Sequence, residues 1–113
     1  HLPDPDRALA CLSEWLKPGG MLAIASLDFA DVKAISGGEA GARFDAGIAH
    51  IQSAIRDTGL VDPAFGRTLK DRLAAAGLQA VTEDVLDRVS EGGSDWSRFL
   101  AANNRVIGAM IGA

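Results

Sequence analysis

The chain has 113 residues, 48% of them hydrophobic and 23% charged, with a formal net charge of -4 and a pI near 5.0. This is enough apolar material for a packed core, which excludes a polar disordered tract. No run of Lys or Arg offers the phosphate-tracking surface that nucleic-acid binding demands, and no stretch reaches the ~20 apolar residues of a bilayer span.

Cys11 is the only cysteine, so an intrachain disulfide and a zinc-type cysteine cluster are both excluded. The start lacks the charged-then-apolar layout of a secretory leader. A cytoplasmic protein with neither nucleic acid nor a membrane span as partner is the resulting expectation. Composition leaves the oligomeric state open.

In chain order, HLPDP places Asp4 before Pro5, an N-cap followed by proline at the first helical position. Ala8, Leu9, Leu12, Trp15 and Leu16 recur at helical spacing, and Cys11 lies on the same apolar side as an inert packed thiol. Pro18-Gly19-Gly20 stops this helix. Met21 to Leu27 (MLAIASL) is then almost continuously apolar, as a parallel strand covered on both faces would be. Helix, glycine turn and buried strand form the second half of a βαβ unit, whose first strand would precede His1.

From Asp28 to Gly41 the pattern dissolves into Asp, Ser and Gly and reads as a loop. Ala42 to Thr58 is expected to be helical, with Phe44, Ile48, Ile51 and Ile55 on one face. The glycine-dense GGEAGARFDAG (Gly37 to Gly47) lacks G-x-G-x-x-G spacing and reads as a mobile loop rather than a phosphate cradle. Asp62-Pro63 repeats the cap-plus-proline start, and Phe65, Leu69, Leu73 and Ala76 form a second stripe closed by Gly77.

Gln79 to Val89 reads as a strand, with Val81, Val85 and Val89 on one face. Ser94, after Gly92-Gly93, caps a last helix carrying Trp96, Phe99, Leu100, Asn103, Val106, Ile107, Met110 and Ile111, which runs to Ala113 without a cap. Two strands do not make a sheet of ordinary size. Residues 1–113 therefore read as a partial α/β domain, helix-rich with two or three strands, lacking an N-terminal half and a last strand.

HLPDP, then LKPGG (Leu16 to Gly20), MLAIASL and Asp28 resemble, in order and spacing, the second half of class I S-adenosylmethionine-dependent methyltransferases. FGRTLKDRLAAAGLQAV (Phe65 to Val81) is similar to the next helix and strand of that family. GGSDWSRFL (Gly92 to Leu100) is similar to a segment of the branch near the ubiquinone/menaquinone-biosynthesis methyltransferases. The resemblance implies the C-terminal part of a Rossmann-like sheet, S-adenosyl-L-methionine as cofactor and a small-molecule methyl acceptor. The family's glycine-rich loop and ribose-binding acidic residue are absent from this sequence, so the chain alone is expected to be inactive.

By that resemblance His1 and Leu2 are cofactor neighbours. His1 is also the candidate general base, since a near-neutral pKa suits proton removal, with positioning of the helix turn as the simpler role. Asp28 and Phe29, at the carboxyl end of the MLAIASL strand, would flank the ligand crevice, although Asp28 serves equally well as a loop cap. Phe44 and His50 lie on a helix placed as a substrate lid, with His50 read as a packed or exposed histidine. Trp96 is the candidate substrate wall, beside Phe99, with core packing as the simpler reading. Arg67 is expected to pair with a carboxylate or sit at the surface rather than contact substrate. No spacing of His, Cys or acidic residues supports a metal site.

Two other readings remain. One is a non-catalytic α/β or helical interaction module whose last helix docks a partner. The other is a different doubly wound enzyme using a nucleotide cofactor; the HLPDP and LKPGG turns favour methyl transfer over it.

Overall fold

The computed structural model describes residues 2–112, and at residue 111 only the backbone. The described residues form four helices and no strand: α1 (Pro5–Trp15), α2 (Gly38–Thr58), α3 (Phe65–Ala75) and α4 (Asp95–Ile111). They divide into two compact units. The first comprises His1–Asp31 and Gly59–Glu83; the second comprises Val32–Thr58 and Asp84–Ala113.

In the first unit, α1 begins as the sequence dictates. Asp4 is the N-cap, its carboxylate accepting the Arg7 N–H at 3.1 Å, and Pro5 supplies the preset first helical residue. The helix ends at Leu16, and the Lys17 carbonyl accepts the Gly20 N–H at 2.7 Å across the Pro-Gly-Gly turn. α3 packs on α1, and each contributes one buried apolar side chain, Leu9 from α1 and Leu69 from α3. Arg72 reinforces this pair. Its guanidinium lies 2.8 Å from the Asp6 carboxylate and 4.9 Å from the centre of the Phe65 ring.

The end of α3 is a Schellman motif. Gly77 adopts φ +91, its N–H bonds the Ala74 carbonyl at 3.0 Å, and the Leu78 N–H bonds the Leu73 carbonyl at 3.3 Å. Only glycine takes this left-handed position without a Cβ penalty, so the stop expected at Gly77 is the observed one.

In the second unit α2 packs against α4. α2 starts at Gly38, four residues before the expected boundary, so most of GGEAGARFDAG is helix rather than mobile loop. Its entry is tied by Asp45, whose carboxylate accepts the Ala34 N–H at 2.6 Å. Ser94 caps α4 by accepting the Ser97 N–H at 3.3 Å, and the helix closes on Gly112 in a left-handed conformation. α4 thus has a cap where the sequence reading expected none.

The expected α/β architecture is not what forms. Both apolar runs read as strands, Met21 to Leu27 and Gln79 to Val89, are irregular and non-helical, and among the described residues there is no sheet. A strand exists only when a neighbour completes its ladder, and apolar patterning does not supply that neighbour. Ala80, at φ +52, also breaks the extended backbone that the second run would need. Both runs remain open to solvent: Met21 is 89% exposed and Leu86 is 92% exposed.

Trp15 is a smaller correction. It sits about a third of a turn around α1 from Leu9, at the margin of the apolar stripe, and is largely exposed rather than packed.

Candidate functional site

The densest polar arrangement in the first unit joins the segment after MLAIASL to the start of α3. Asp62 organises the α3 side. Its carboxylate accepts the Ala64 N–H at 2.9 Å and its carbonyl accepts the Phe65 N–H at 3.1 Å. It therefore shapes the turn before α3, while Ala64 occupies the N-cap without a side-chain bond. The Asp-Pro start read from sequence is thus a turn, and the cap falls two residues after Asp62, at Ala64.

On the other side, Asp28 accepts the Ala30 N–H at 3.0 Å, and the Phe29 N–H donates to the Pro63 carbonyl at 2.9 Å. Gly66 makes the approach possible: a Cβ there would lie 3.1 Å from the Leu27 carbonyl oxygen.

Arg67 closes the clasp. Its Nε donates to Asp28 Oδ2 at 2.8 Å, and Nη2 donates to Asp28 Oδ1 at 3.2 Å and to Asp31 Oδ2 at 2.9 Å. The fork-on-carboxylate geometry with Asp28 is the strong form of this pair. The Arg67 guanidinium, helped by the Ala30 N–H, holds the Asp28 carboxyl below the usual carboxylate range. The two carboxylates in turn raise Arg67, chiefly through the hydrogen bond to Asp28.

The residues singled out from sequence fall as follows. Asp28 and Phe29 are neighbours in the clasp, with both Asp28 oxygens engaged and Phe29 half-buried. Arg67 pairs with carboxylates, as expected. Leu2 and Pro3 line a hollow of about 350 Å³ with Asp4, Arg7, Ala8 and Cys11. None of these residues belongs to the clasp. His1, the candidate base and cofactor neighbour, lies outside the described residues.

Phe44 and Trp96 belong to the second unit. Phe44 is 45% exposed on α2. Trp96 is half-buried, stacks on Phe99 with ring centres 5.4 Å apart, and carries the Arg88 guanidinium 5.3 Å from its ring centre. His50 is exposed. Asp31, Pro63 and Gly66 were not anticipated as clasp members. The Asp-x-x-Asp spacing of Asp28 and Asp31 and the Gly66-Arg67 pair were visible, but their meeting depends on the tertiary path.

S-adenosylmethionine needs polar partners for its ribose and its amino-acid end. The hollow beside Leu2 is walled mainly by apolar atoms, and its one carboxylate, Asp4, is committed to capping α1. No described polar or charged residue is buried. The described residues therefore do not by themselves form a cradle for that cofactor. Among them no cluster of three or more His, Cys, Asp or Glu is placed to hold a metal ion, and no helix is long and apolar enough to cross a membrane.

In comparisons with known protein families, characterised proteins and solved structures, the chain matches none.

Proposed function

We propose that this chain is part of a cytoplasmic S-adenosylmethionine-dependent methyltransferase acting on a small molecule. The reading rests on the ordered motifs HLPDP, LKPGG, MLAIASL, Asp28 and FGRTL. The observation that supports it is the Arg67–Asp28 pair, which draws two of these motif segments into one constellation. Leu2 and His1 are the proposed cofactor neighbours, and Asp28 and Phe29 the proposed substrate-facing pair; Phe44 and Trp96 belong to the other unit and are not assigned to that pair. The cofactor supplies an activated methyl group, so the protein's share of the chemistry is orientation, exclusion of water and, where the acceptor needs it, a base.

The test uses the natural polypeptide that contains this sequence, incubated with isotope-labelled S-adenosylmethionine and a panel of small aromatic, hydroxyl and amine acceptors. Labelled product together with S-adenosylhomocysteine is the expected result. Absence of both cofactor binding and transfer would overturn the reading. The isolated 113-residue chain is expected to bind S-adenosylmethionine little, and micromolar affinity by calorimetry would contradict that. His1→Ala in the natural polypeptide separates proton transfer from positioning: a base role predicts a lost or shifted pH limb in turnover.

The exposed side chains of Phe99, Val106 and Met110 on α4, at 51%, 59% and 76%, favour a second reading as a helical interaction module. This reading requires that the natural polypeptide transfer no methyl group.

A further inference from the structure

We infer that the solvent-facing side of α4 is a docking surface for an amphipathic helix of a partner protein, one whose flanking edge carries Glu or Asp. The inference does not depend on methyl transfer and applies whether or not the natural polypeptide is an enzyme.

α4 is apolar on two sides. Trp96, Leu100, Asn103 and Ile107 share a half-buried side, as expected of a helix packed on α2. Phe99, Ala102, Val106 and Ala109, with Met110 beside them, recur at three- and four-residue steps and are all exposed. At ~100° per residue this second stripe is about 100° wide, the width of a helix seam. The Phe99 ring is already held by its stack on Trp96, with centres 5.4 Å apart, so a partner would meet an aromatic anchor that loses little freedom on binding.

The border of the stripe identifies the partner. Arg98 and Arg105 line its edge away from the half-buried side. Arg105 Nε donates to the Ala101 carbonyl at 3.3 Å, and neither guanidinium is paired with a described carboxylate, whereas Arg67 and Arg72 both are. Two such guanidiniums stand out in a chain with 15 acidic and 11 basic residues. The one acidic residue of α4, Asp95, sits in its first turn, where the helix dipole favours it.

A second copy of α4 does not complement this edge. Laid antiparallel, two copies would set arginine edge against arginine edge; laid parallel, each arginine edge would meet a side without a carboxylate. An anionic membrane would meet the charge of -4 carried by the whole chain, whereas one acidic helix meets chiefly this edge, because charges further away are screened. An acidic amphipathic helix satisfies both the stripe and its border.

The experiment measures, by fluorescence anisotropy, binding of two designed helical peptides about three heptads long to the natural polypeptide. Both carry leucine at the seam positions; one has glutamate and the other lysine at the flanking positions. The glutamate peptide is expected to bind about tenfold tighter, and added salt to narrow the gap. Arg98→Glu/Arg105→Glu is expected to reverse the preference. Val106→Ser/Met110→Ser is expected to weaken both peptides about tenfold, with an unchanged circular dichroism melt because these side chains are exposed.

Equal affinity for the two peptides, or a preference that survives the charge reversal, would overturn the acidic partner. Binding of neither peptide would overturn the docking surface. Sedimentation showing a dimer that Val106→Ser/Met110→Ser dissociates and the glutamate peptide does not would assign the stripe to a second copy instead. Binding to phosphatidylserine vesicles that is lost in the same variant, without peptide binding, would assign it to a membrane surface; either result overturns the proposal.

Discussion

Arg67 grips Asp28 with both prongs of its guanidinium, Nε at 2.8 Å from Oδ2 and Nη2 at 3.2 Å from Oδ1, across 39 residues of sequence. The carboxyl is easier to ionise in the folded chain than in the unfolded one, because the guanidinium and the Ala30 N–H both favour the anion. By linkage, a lowered carboxyl pKa contributes stability that is fully present above the unfolded value and is lost as pH falls through the folded value. Wild type and Arg67→Gln should therefore differ most at neutral pH, and their thermal midpoints should converge as pH drops below about 4. Raising the salt concentration should narrow the neutral-pH gap, since the pair is exposed enough to be screened. Carboxyl NMR should show Asp28 returning toward the ordinary aspartate range in Arg67→Gln. An Asp28 titration unaffected by the loss of Arg67 would contradict the observed geometry.

Two glycines of α2 should respond in opposite directions to the same substitution. Gly47 lies inside the helix, and a Cβ built there meets nothing within 4 Å. Gly47→Ala should raise stability by about 0.5–1 kcal/mol, the ordinary propensity difference for an exposed helix interior. Gly41 is buried, and a Cβ there would overlap the Ser36 carbonyl oxygen, part of the backbone leading into α2. Gly41→Ala should therefore lower stability despite the same propensity gain. Denaturant melts of the two variants against wild type check this, and a stabilised Gly41→Ala would mean that the 34–37 segment yields freely.

These cases show which features could be read from residues in isolation. The Asp4 and Ser94 caps, the Gly77 stop and the stripe from Phe65 to Ala76 depend on contacts a few residues apart, so local chemistry was enough to place them. Met21 to Leu27 and Gln79 to Val89 failed as strands because strand formation is decided by a partner, and their apolar content records only a tendency to be covered. The clasp was half legible. Arg67 was expected to find a carboxylate, but the choice of Asp28 and Asp31 depends on how the chain returns past α3, information no local spacing carries.

Ala80 tests the second failed strand directly. At φ +52 it occupies the left-handed region, where an alanine Cβ is strained by about 1 kcal/mol or more. Ala80→Gly removes that strain but adds conformational freedom to the unfolded chain, which offsets part of the gain. The expected net effect is a stabilisation of about 0.5 kcal/mol, read from the denaturation midpoint. Ala80→Val, a better strand former, should destabilise, because a β-branched side chain tolerates positive φ poorly. If Ala80→Val instead raised stability, residues 79–89 would be extended in solution and the irregular backbone at Ala80 would be refuted.

The α1–α3 pair supplies the last prediction. α1 and α3 pack together and each buries one leucine, Leu9 at 6% exposure and Leu69 at 8%. Truncating either to alanine removes apolar contacts and leaves a gap that its neighbours fill only in part, at a cost of about 2–3 kcal/mol. Leu69→Met keeps the volume and should cost less than about 1.5 kcal/mol. Trp15→Ala removes a larger side chain from α1, but that side chain is 77% exposed, so the change should stay within about 0.5 kcal/mol. Urea melts followed by circular dichroism measure all four variants. If Trp15→Ala cost as much as Leu9→Ala, the face of α1 that packs would have been assigned wrongly. The order of effects, rather than any one value, therefore decides which stripe of α1 faces α3.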